Sequence, residues 1–125
     1  MRKKRAGALI IRNRKLLLVT DENAEFYWTP GGRLEEGEDY LTCLNRELEE
    51  ELGIRAKSIK QYKDMKHEVV DARYFLVETE DELKPGHEVT DIHWYSKDDF
   101  ENGKLKVSPR ISEQVFPSLI KDGLV

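Results

Sequence analysis

Two apolar runs near the start of the chain predict a pair of β-strands joined by a tight turn. They cover residues 6–12 (AGALIIR) and 15–20 (KLLLVT), and the polar pair Asn13-Arg14 separates them. Apolar runs bounded by turn residues are typical of a β-hairpin. We expect the first strand to be central in its sheet, and the basic residues 2–5 before it to form a solvated terminus.

The aromatic run FYWT, residues 26–29, predicts a third and short strand. Pro30-Gly31-Gly32 follows it directly, and this combination of residues is typical of a turn. We therefore expect the chain to reverse between this strand and the helical segment that comes next.

A helix is predicted after the glycines, from near Asp39, because apolar residues then recur at steps of three and four. Leu41, Leu44, Leu48 and Leu52 fall on one helical face, which we expect to be buried. Gly53 stands where a glycine commonly ends a helix.

The second half of the chain predicts more strands, a polar loop and a C-terminal helix. Ser108-Pro109 has the residues of a helix start, and Pro117 should kink or split the helix that follows. Strands followed by a helix, then strands and a helix again, predict an α/β fold with a mixed sheet covered by helices. In this half, residues 72–79 and 89–95 are the predicted strands, and residues 81–88 are the predicted polar loop between them.

Composition narrows the class of protein. The 125 residues fit one domain, residues 1–125, and the 38% hydrophobic and 37% charged content is that of a globular chain. A net charge of −4 gives no support for non-specific binding to DNA or to anionic membranes. Cys43 is the only cysteine, so no intrachain disulfide forms. With no signal peptide or apolar span, we expect a soluble, cytoplasmic protein.

Three carboxylates crowd one side of the predicted helix. Glu47, Glu50 and Glu51 fall within about 100° of one another around the helix axis. Such neighbours repel each other unless a positive charge compensates, and a cluster of oxygen ligands suits Mg²⁺ or Mn²⁺. The alternative is a solvated acidic face, which is the usual role of a charged run.

The surroundings of these carboxylates favour a binding site. Gly31-Gly32 precedes the helix and allows a ligand to approach the backbone closely. Arg46 lies among the acids and can pair with one of them. Glu38 lies at the helix start, where a negative charge is favourable.

Residues 32–54 resemble the Nudix box, G-x5-E-x7-R-E-U-x-E-E-x-G-U with U aliphatic, at every specified position. Agreement at this many fixed positions is highly specific, and the chain is identified as similar to MutT-type Nudix hydrolases. The matching residues are Gly32, Glu38, Arg46, Glu47, Leu48, Glu50, Glu51, Gly53 and Ile54.

The resemblance implies an α/β/α sandwich in which the box forms a loop–helix–loop. It also implies that Glu50 and Glu51 bind a divalent metal ion, with Glu47 as a further ligand or as the base that activates water. The Gly31 carbonyl would join the metal ligands. Arg46 would orient Glu47, and Glu38 would brace the loop by pairing with Arg46.

A further ligand or base comes from a later loop in some members of the family. Glu88 is our first candidate in this chain, followed by Glu82 and Glu80. The alternative for each of them is an acid on the surface of a loop.

Candidate substrate contacts surround the two glycines. Residues alternate faces on a short strand, so at least one of Phe26, Tyr27 and Trp28 should face a pocket where a base could stack, with core packing as the alternative. We name Tyr27 and Trp28, together with Gly32. Arg33 could meet a phosphate or remain a surface residue.

The implied activity is the hydrolysis of a nucleoside diphosphate linked to a group X, with Mg²⁺ as cofactor. A nucleoside triphosphate of the house-cleaning type is our first expectation. The alternatives are ADP-ribose or a nucleotide sugar, and a non-catalytic module that binds a nucleotide. A homodimer stays open, since no sequence feature defines an interface.

Overall fold

The computed structural model describes residues 2–125, which form two sheets between two helical layers. Helix α1 packs on one side, and the C-terminal helical segment packs on the other. In chain order the elements are β1 (Lys3–Leu9), β2 (Ile11–Arg12), β3 (Lys15–Thr20), β4 (Gly31–Arg33), α1 (Tyr40–Leu52), β5 (Ser58–His67), β6 (Val70–Glu78), β7 (Asp91–Tyr95), α2 (Lys97–Asn102), a π-helical segment (Ile111–Val115) and α3 (Phe116–Lys121).

The first sheet is mixed and has the order β4-β1-β6-β5, so β1 is central as predicted. Strands β1 and β6 run parallel, whereas β1–β4 and β5–β6 are antiparallel. The second sheet has the order β2-β3-β7 and is antiparallel. The predicted hairpin is confirmed at its turn, Asn13-Arg14, whose φ angles of 52° and 62° suit a tight hairpin turn. Its first arm is shorter than predicted, because residues 3–9 belong to the first sheet and only Ile11 and Arg12 pair with β3.

Successive residues of the central strands pack against opposite helical layers. Leu17 and Val19 lie in the core that contains the buried face of α1. Leu16 and Leu18 lie in the other core, with the buried side chains of residues 111–119. This period of two builds an α/β/α sandwich and confirms the predicted fold class.

Helix α1 begins and ends where the sequence predicts. The side chain of Asp39 accepts a hydrogen bond from the Thr42 backbone N–H at 2.8 Å, and Gly53 ends the helix with φ 62°. Leu41 was wrongly placed on the buried face, because it lies in the first turn and is 51% exposed. Cys43 takes that place, fully buried beside Leu44.

Three further expectations about local structure differ from the fold. Residues 26–29 do not form the predicted strand, because only Tyr27 and Trp28 pair, in isolated bridges to Val107 and Val19. Residues 31–33 form a strand rather than a turn, because β4 pairs with β1. Arg5 is part of β1 and half-buried, so the basic start is not wholly a solvated terminus. The predicted interruption of the C-terminal helix is confirmed, with a π-helical segment before Pro117 in the first turn of α3.

No helix within residues 2–125 has both the length and the apolar character that a membrane crossing needs.

Candidate functional site

Arg46 is the centre of an ionic network on α1. Its Nε and Nη2 donate to the two carboxylate oxygens of Glu38 at 2.8 and 2.9 Å. Its Nη1 donates to Glu47 Oε1 at 2.8 Å and to Glu50 Oε2 at 3.5 Å. The hydrogen bonds from Arg46 lower the pKa of Glu38 to about 2, aided by the backbone N–H of Glu35. The expected bracing of the loop by Glu38 and Arg46 is therefore present in the geometry.

Glu51 is the most deeply buried carboxylate of the acidic cluster. Its Oε1 accepts a hydrogen bond from the Gly31 backbone N–H at 2.7 Å. Burial still raises the pKa of Glu51 to about 7, and the charge of Glu47 adds to the rise. Burial also raises the pKa of Glu47, against the opposing effect of Arg46. A cation at this position would relieve the cost of keeping both groups ionised.

Gly31 directs its backbone polar groups at α1. In the β1–β4 ladder, Ala8 N–H donates to Pro30 O at 2.8 Å, so the adjacent Gly7–Gly31 pair is not hydrogen-bonded. Both the N–H and the C=O of Gly31 therefore point away from β1. The N–H binds Glu51, and the carbonyl lies on the same side of the strand, where the family resemblance expects a ligand.

Both glycines are required by close contacts. Gly31 has φ 137°, and a Cβ there would collide with the backbone oxygen of Ala6. A Cβ on Gly32 would lie 2.5 Å from Glu47 Oε1. The pair of glycines thus lets β4 lie directly beneath the acidic face of α1.

The chemistry of the donor set fits a hard divalent cation such as Mg²⁺. Glu47, Glu50, Glu51 and the Gly31 carbonyl offer oxygen ligands only. Across the described residues 2–125, no three acidic, histidine or cysteine side chains converge as a ready set of metal ligands. Arg46 and Gly31 hold two of the carboxylates, and Glu50 is 59% exposed at its side chain.

A cavity of about 670 Å³ opens beside the two glycines. Of the predicted substrate contacts, Trp28, Gly32 and Arg33 line it. Phe26 also lines it and packs edge-on against Trp28, with 6.4 Å between the ring centroids. Tyr27 does not line it, because its ring packs 6.1 Å from His93 and its hydroxyl donates to Asp91. That predicted contact is corrected.

The rest of the cavity is built from residues that the sequence reasoning did not assign to a site. Arg5 arrives on β1, Tyr74 on β6 and His67 at the end of β5. Ser108, Arg110 and Gln114 come from the C-terminal segment. One feature of the sequence could have indicated this cavity. Arg5 and Gly7 lie on the same face of β1, and this pair of residues is unusual in a core.

The loop of residues 81–88 is attached to the end of α1 by backbone hydrogen bonds. Lys84 N–H donates to Leu52 O at 2.7 Å, and Gly86 N–H donates to Glu51 O at 2.9 Å. Glu88 follows two residues later and is exposed.

The other two candidate acids of this region differ in their partners. Glu80 is paired with Lys57 at 2.7 Å, with both side chains exposed. Glu82 is exposed. Within residues 2–125, neither Glu82 nor Glu88 takes part in a side-chain hydrogen bond or an ion pair.

Comparison with known proteins bears on the family and the fold of this chain. The family model described as NUDIX domain matches residues 1–117. The comparison with curated proteins found no significant match.

Solved structures share the fold over most of the chain. A MutT structure from a study of Aliivibrio salmonicida and Vibrio cholerae has a TM-score of 0.80 at 20% identity, covering 98% of this chain and 99% of that one. The Escherichia coli ORF135 protein has a TM-score of 0.76 at 25% identity, covering 95% and 91%. An ADP-ribose pyrophosphatase from Streptococcus suis has a TM-score of 0.63 at 20% identity, covering 79% and 77%.

Proposed function

Because this chain belongs to the NUDIX family, a family of pyrophosphohydrolases, we propose that it hydrolyses the pyrophosphate bond of a nucleoside triphosphate with the help of Mg²⁺. The products are a nucleoside monophosphate and pyrophosphate. The names of similar structures, MutT and ADP-ribose pyrophosphatase, indicate the range of nucleotide substrates to be tested.

The observation that carries the proposal is the continuity between the carboxylates and the cavity. Gly31 and Gly32 line the cavity, while Gly31 N–H binds Glu51 and Gly32 lies against Glu47. A volume of about 670 Å³ is within the range of small-molecule sites and has room for one nucleoside with its phosphates. Trp28 and Phe26 offer aromatic rings on which a base can stack.

The acidic residues have separate tasks in this proposal. Glu50, Glu51 and the Gly31 carbonyl would hold the metal ion, with Glu47 as a further ligand or as the base. The metal would supply neutralisation of phosphate charge and a lower pKa for a bound water. As the base, Glu47 would accept the proton of the water that attacks phosphorus. Arg46 keeps Glu47 in place through the 2.8 Å hydrogen bond. Glu88 stays our candidate for a ligand or base from the loop.

The cavity wall gives the phosphates and base further contacts. Arg33 lines the cavity next to the glycines, where its guanidinium can donate to a phosphate oxygen. Trp28 and Phe26 line the same cavity and can stack on the base. In this proposal the substrate is oriented by contacts at both ends.

The test is a hydrolysis assay with Mg²⁺ across nucleoside triphosphates, ADP-ribose, nucleotide sugars and dinucleoside polyphosphates, in which phosphate and pyrophosphate release are measured separately. The Glu51→Gln variant should lose activity by at least roughly 100-fold. Glu49→Gln is the matched control, because Glu49 is exposed on the same helix and lies at an unspecified position of the box.

Three outcomes are distinguishable. Pyrophosphate release from triphosphates, lost in Glu51→Gln and kept in Glu49→Gln, supports the proposal. Turnover of ADP-ribose or a nucleotide sugar in place of triphosphates would replace the proposed substrate. Nucleotide binding without turnover in the wild type would point to a binding module instead.

A further inference from the structure

The wall of the cavity away from α1 contains a chain of hydrogen-bonded side chains with no role in the hydrolysis described above. Gln114 Nε2 lies 3.0 Å from His67 Nδ1, and His67 Nε2 lies 3.0 Å from the Tyr74 hydroxyl. His67 is 3% exposed and Tyr74 is 1% exposed, yet both line the cavity.

The direction of these hydrogen bonds follows from one backbone carbonyl. Gln114 Nε2 also lies 3.4 Å from the Lys66 carbonyl oxygen, which can only accept, so the amide NH₂ faces both partners. His67 Nδ1 must then accept, and its proton sits on Nε2. Nε2–H donates to the Tyr74 oxygen. The phenolic hydrogen of Tyr74 is left free to donate to a group in the cavity.

The surroundings of His67 favour its neutral form. Burial lowers the pKa of His67, and the charges of Arg110 and Arg5 lower it further. A neutral imidazole has one donor and one acceptor nitrogen. Because Gln114 donates to Nδ1, the other nitrogen, Nε2, must donate to the Tyr74 oxygen.

The ring of Tyr74 is held in place by Gly7. The two residues are partners in the parallel β1–β6 register. A Cβ on Gly7 would come within 2.6 Å of the Tyr74 ring atoms Cδ1 and Cε1, so the ring lies directly on the bare backbone of β1. The hydroxyl therefore has a fixed position in the wall.

The neighbouring cations also donate and cannot accept. Arg5 Nη2 donates to the Thr29 carbonyl at 2.8 Å and Nη1 donates to the Thr29 hydroxyl at 3.2 Å. Within residues 2–125, neither Arg5 nor Arg110 forms an ion pair with a carboxylate. The acids that line the cavity, Glu68 and Glu113, are exposed at its rim.

We propose that the Tyr74 hydroxyl, beside Arg5 and Arg110, selects a nucleobase that presents a carbonyl oxygen over one that presents an amino group at the same place. Guanine, hypoxanthine, uracil and thymine are favoured. Adenine and cytosine would place an amino group, a hydrogen-bond donor, against the donors of Tyr74 and the two arginines. An amino group there loses its hydrogen bond and leaves a buried donor unpaired. The inference rests on the proposed function, because it takes the cavity as the nucleotide site.

The test measures binding without turnover. Dissociation constants for nucleoside 5′-monophosphates are followed by tryptophan fluorescence, since Trp28 lines the cavity. IMP is compared with AMP, and UMP with CMP, because each pair exchanges a carbonyl for an amino group. Inorganic phosphate is a separate probe. Tyr74→Phe removes only the hydroxyl, and Tyr95→Phe is the matched control, a buried tyrosine in the core with no place in the cavity.

Wild type and Tyr95→Phe should bind IMP and UMP roughly tenfold more tightly than AMP and CMP, and Tyr74→Phe should reduce both ratios to about two. Equal affinities within the pairs in the wild type, or unchanged ratios in Tyr74→Phe, would overturn the proposal. Equal affinities combined with weaker binding of inorganic phosphate to Tyr74→Phe would assign this wall to a phosphate instead.

The two proposals fail in different ways. A retained IMP preference with no hydrolysis of any triphosphate would overturn the proposed function and leave base selection by Tyr74 standing. Hydrolysis of triphosphates without any base preference would support the proposed function and overturn base selection by Tyr74.

Discussion

Arg46 binds Glu38 through two parallel hydrogen bonds, from Nε to Oε2 at 2.8 Å and from Nη2 to Oε1 at 2.9 Å. The same guanidinium binds Glu47 through Nη1. A lysine ammonium cannot reproduce this planar geometry. Arg46→Lys should lower kcat roughly 10- to 100-fold, because Glu47 is left unsupported.

The measurement is kcat at saturating Mg²⁺ together with the melting temperature. Arg55→Lys is the control, since Arg55 is exposed and its side chain forms no hydrogen bond within residues 2–125. Full activity in Arg46→Lys would show that Glu47 is positioned by other contacts.

The stability of the metal-free protein should fall as the pH rises from 5 to 8. Burial raises the pKa of Glu51 from an ordinary value near 4.5 to about 7, so the folded protein keeps a proton that the unfolded chain releases. The resulting stabilisation is complete below pH 4.5 and is lost as the pH rises through 7. Its size is on the order of 3 kcal/mol.

Thermal unfolding of the protein in a chelator, measured across this pH range, tests the slope. Glu51→Gln should flatten it, because glutamine does not titrate and can still accept from Gly31. Mg²⁺ should raise the melting temperature more at pH 8 than at pH 5.5. If the pH dependence of stability persists in Glu51→Gln, a titrating group other than Glu51 causes it.

The two glycines should respond differently to alanine. In Gly32→Ala the new Cβ would meet the flexible end of Glu47, so the fold should survive while activity falls roughly 10- to 100-fold. In Gly31→Ala the Cβ would meet the backbone of Ala6 at φ 137°, so unfolding should become easier by about 2 kcal/mol or more.

Urea unfolding and kcat/KM measured on both variants separate the two effects. A Gly32→Ala protein that is as destabilised as Gly31→Ala would mean that Glu47 cannot move aside.

Trp28 should contribute to substrate affinity and Tyr27 should not. Trp28→Leu removes one of the two aromatic rings proposed to stack on the base, and we expect KM to rise about tenfold, in line with stacking of roughly 1–3 kcal/mol per base. Tyr27→Phe removes only the hydroxyl that binds Asp91, outside the cavity. Steady-state kinetics on both variants decide the point, and an equal rise in KM would reject the assignment.

Glu88 should affect turnover more than Glu82. If Glu88 supplies a ligand or base, Glu88→Gln lowers kcat by at least roughly tenfold. Glu82 is exposed in the same loop, and the control Glu82→Gln should keep wild-type kcat. Parallel assays across several Mg²⁺ concentrations would separate a ligand, whose loss excess metal compensates, from a base, whose loss it does not. Equal kcat values would remove Glu88 from the site.

The features that the sequence predicted correctly are local ones. Helix α1 is specified by its leucines together with Asp39 and Gly53, all within a few residues of the helix they define. The acidic cluster follows from the same helical period. The prediction that Leu41 is buried was wrong, because periodicity cannot show where the sheet beneath a helix ends. The first turn of α1 extends beyond the core.

The features that were missed depend on long-range pairing. Local chemistry at Gly31-Gly32 predicts a turn, but β1 pairs with these residues and uses their lack of side chains for close approach. The cavity wall unites Arg5, Tyr74 and Arg110, which are far apart in sequence. Only the β1–β6 register and the docking of the C-terminal segment bring them together.

The backbone bonds from Lys84 and Gly86 to the end of α1 limit how the acidic helix can be reused. These bonds supply two N–H donors to carbonyls at the C-terminal end of the helix, from a point some thirty residues further along the chain. A synthetic peptide or a graft that carries only residues 32–54 would leave those carbonyls without their partners. The C-terminal end of the box helix thus depends on a distant segment, and a graft onto another scaffold should carry residues 84–86 as well.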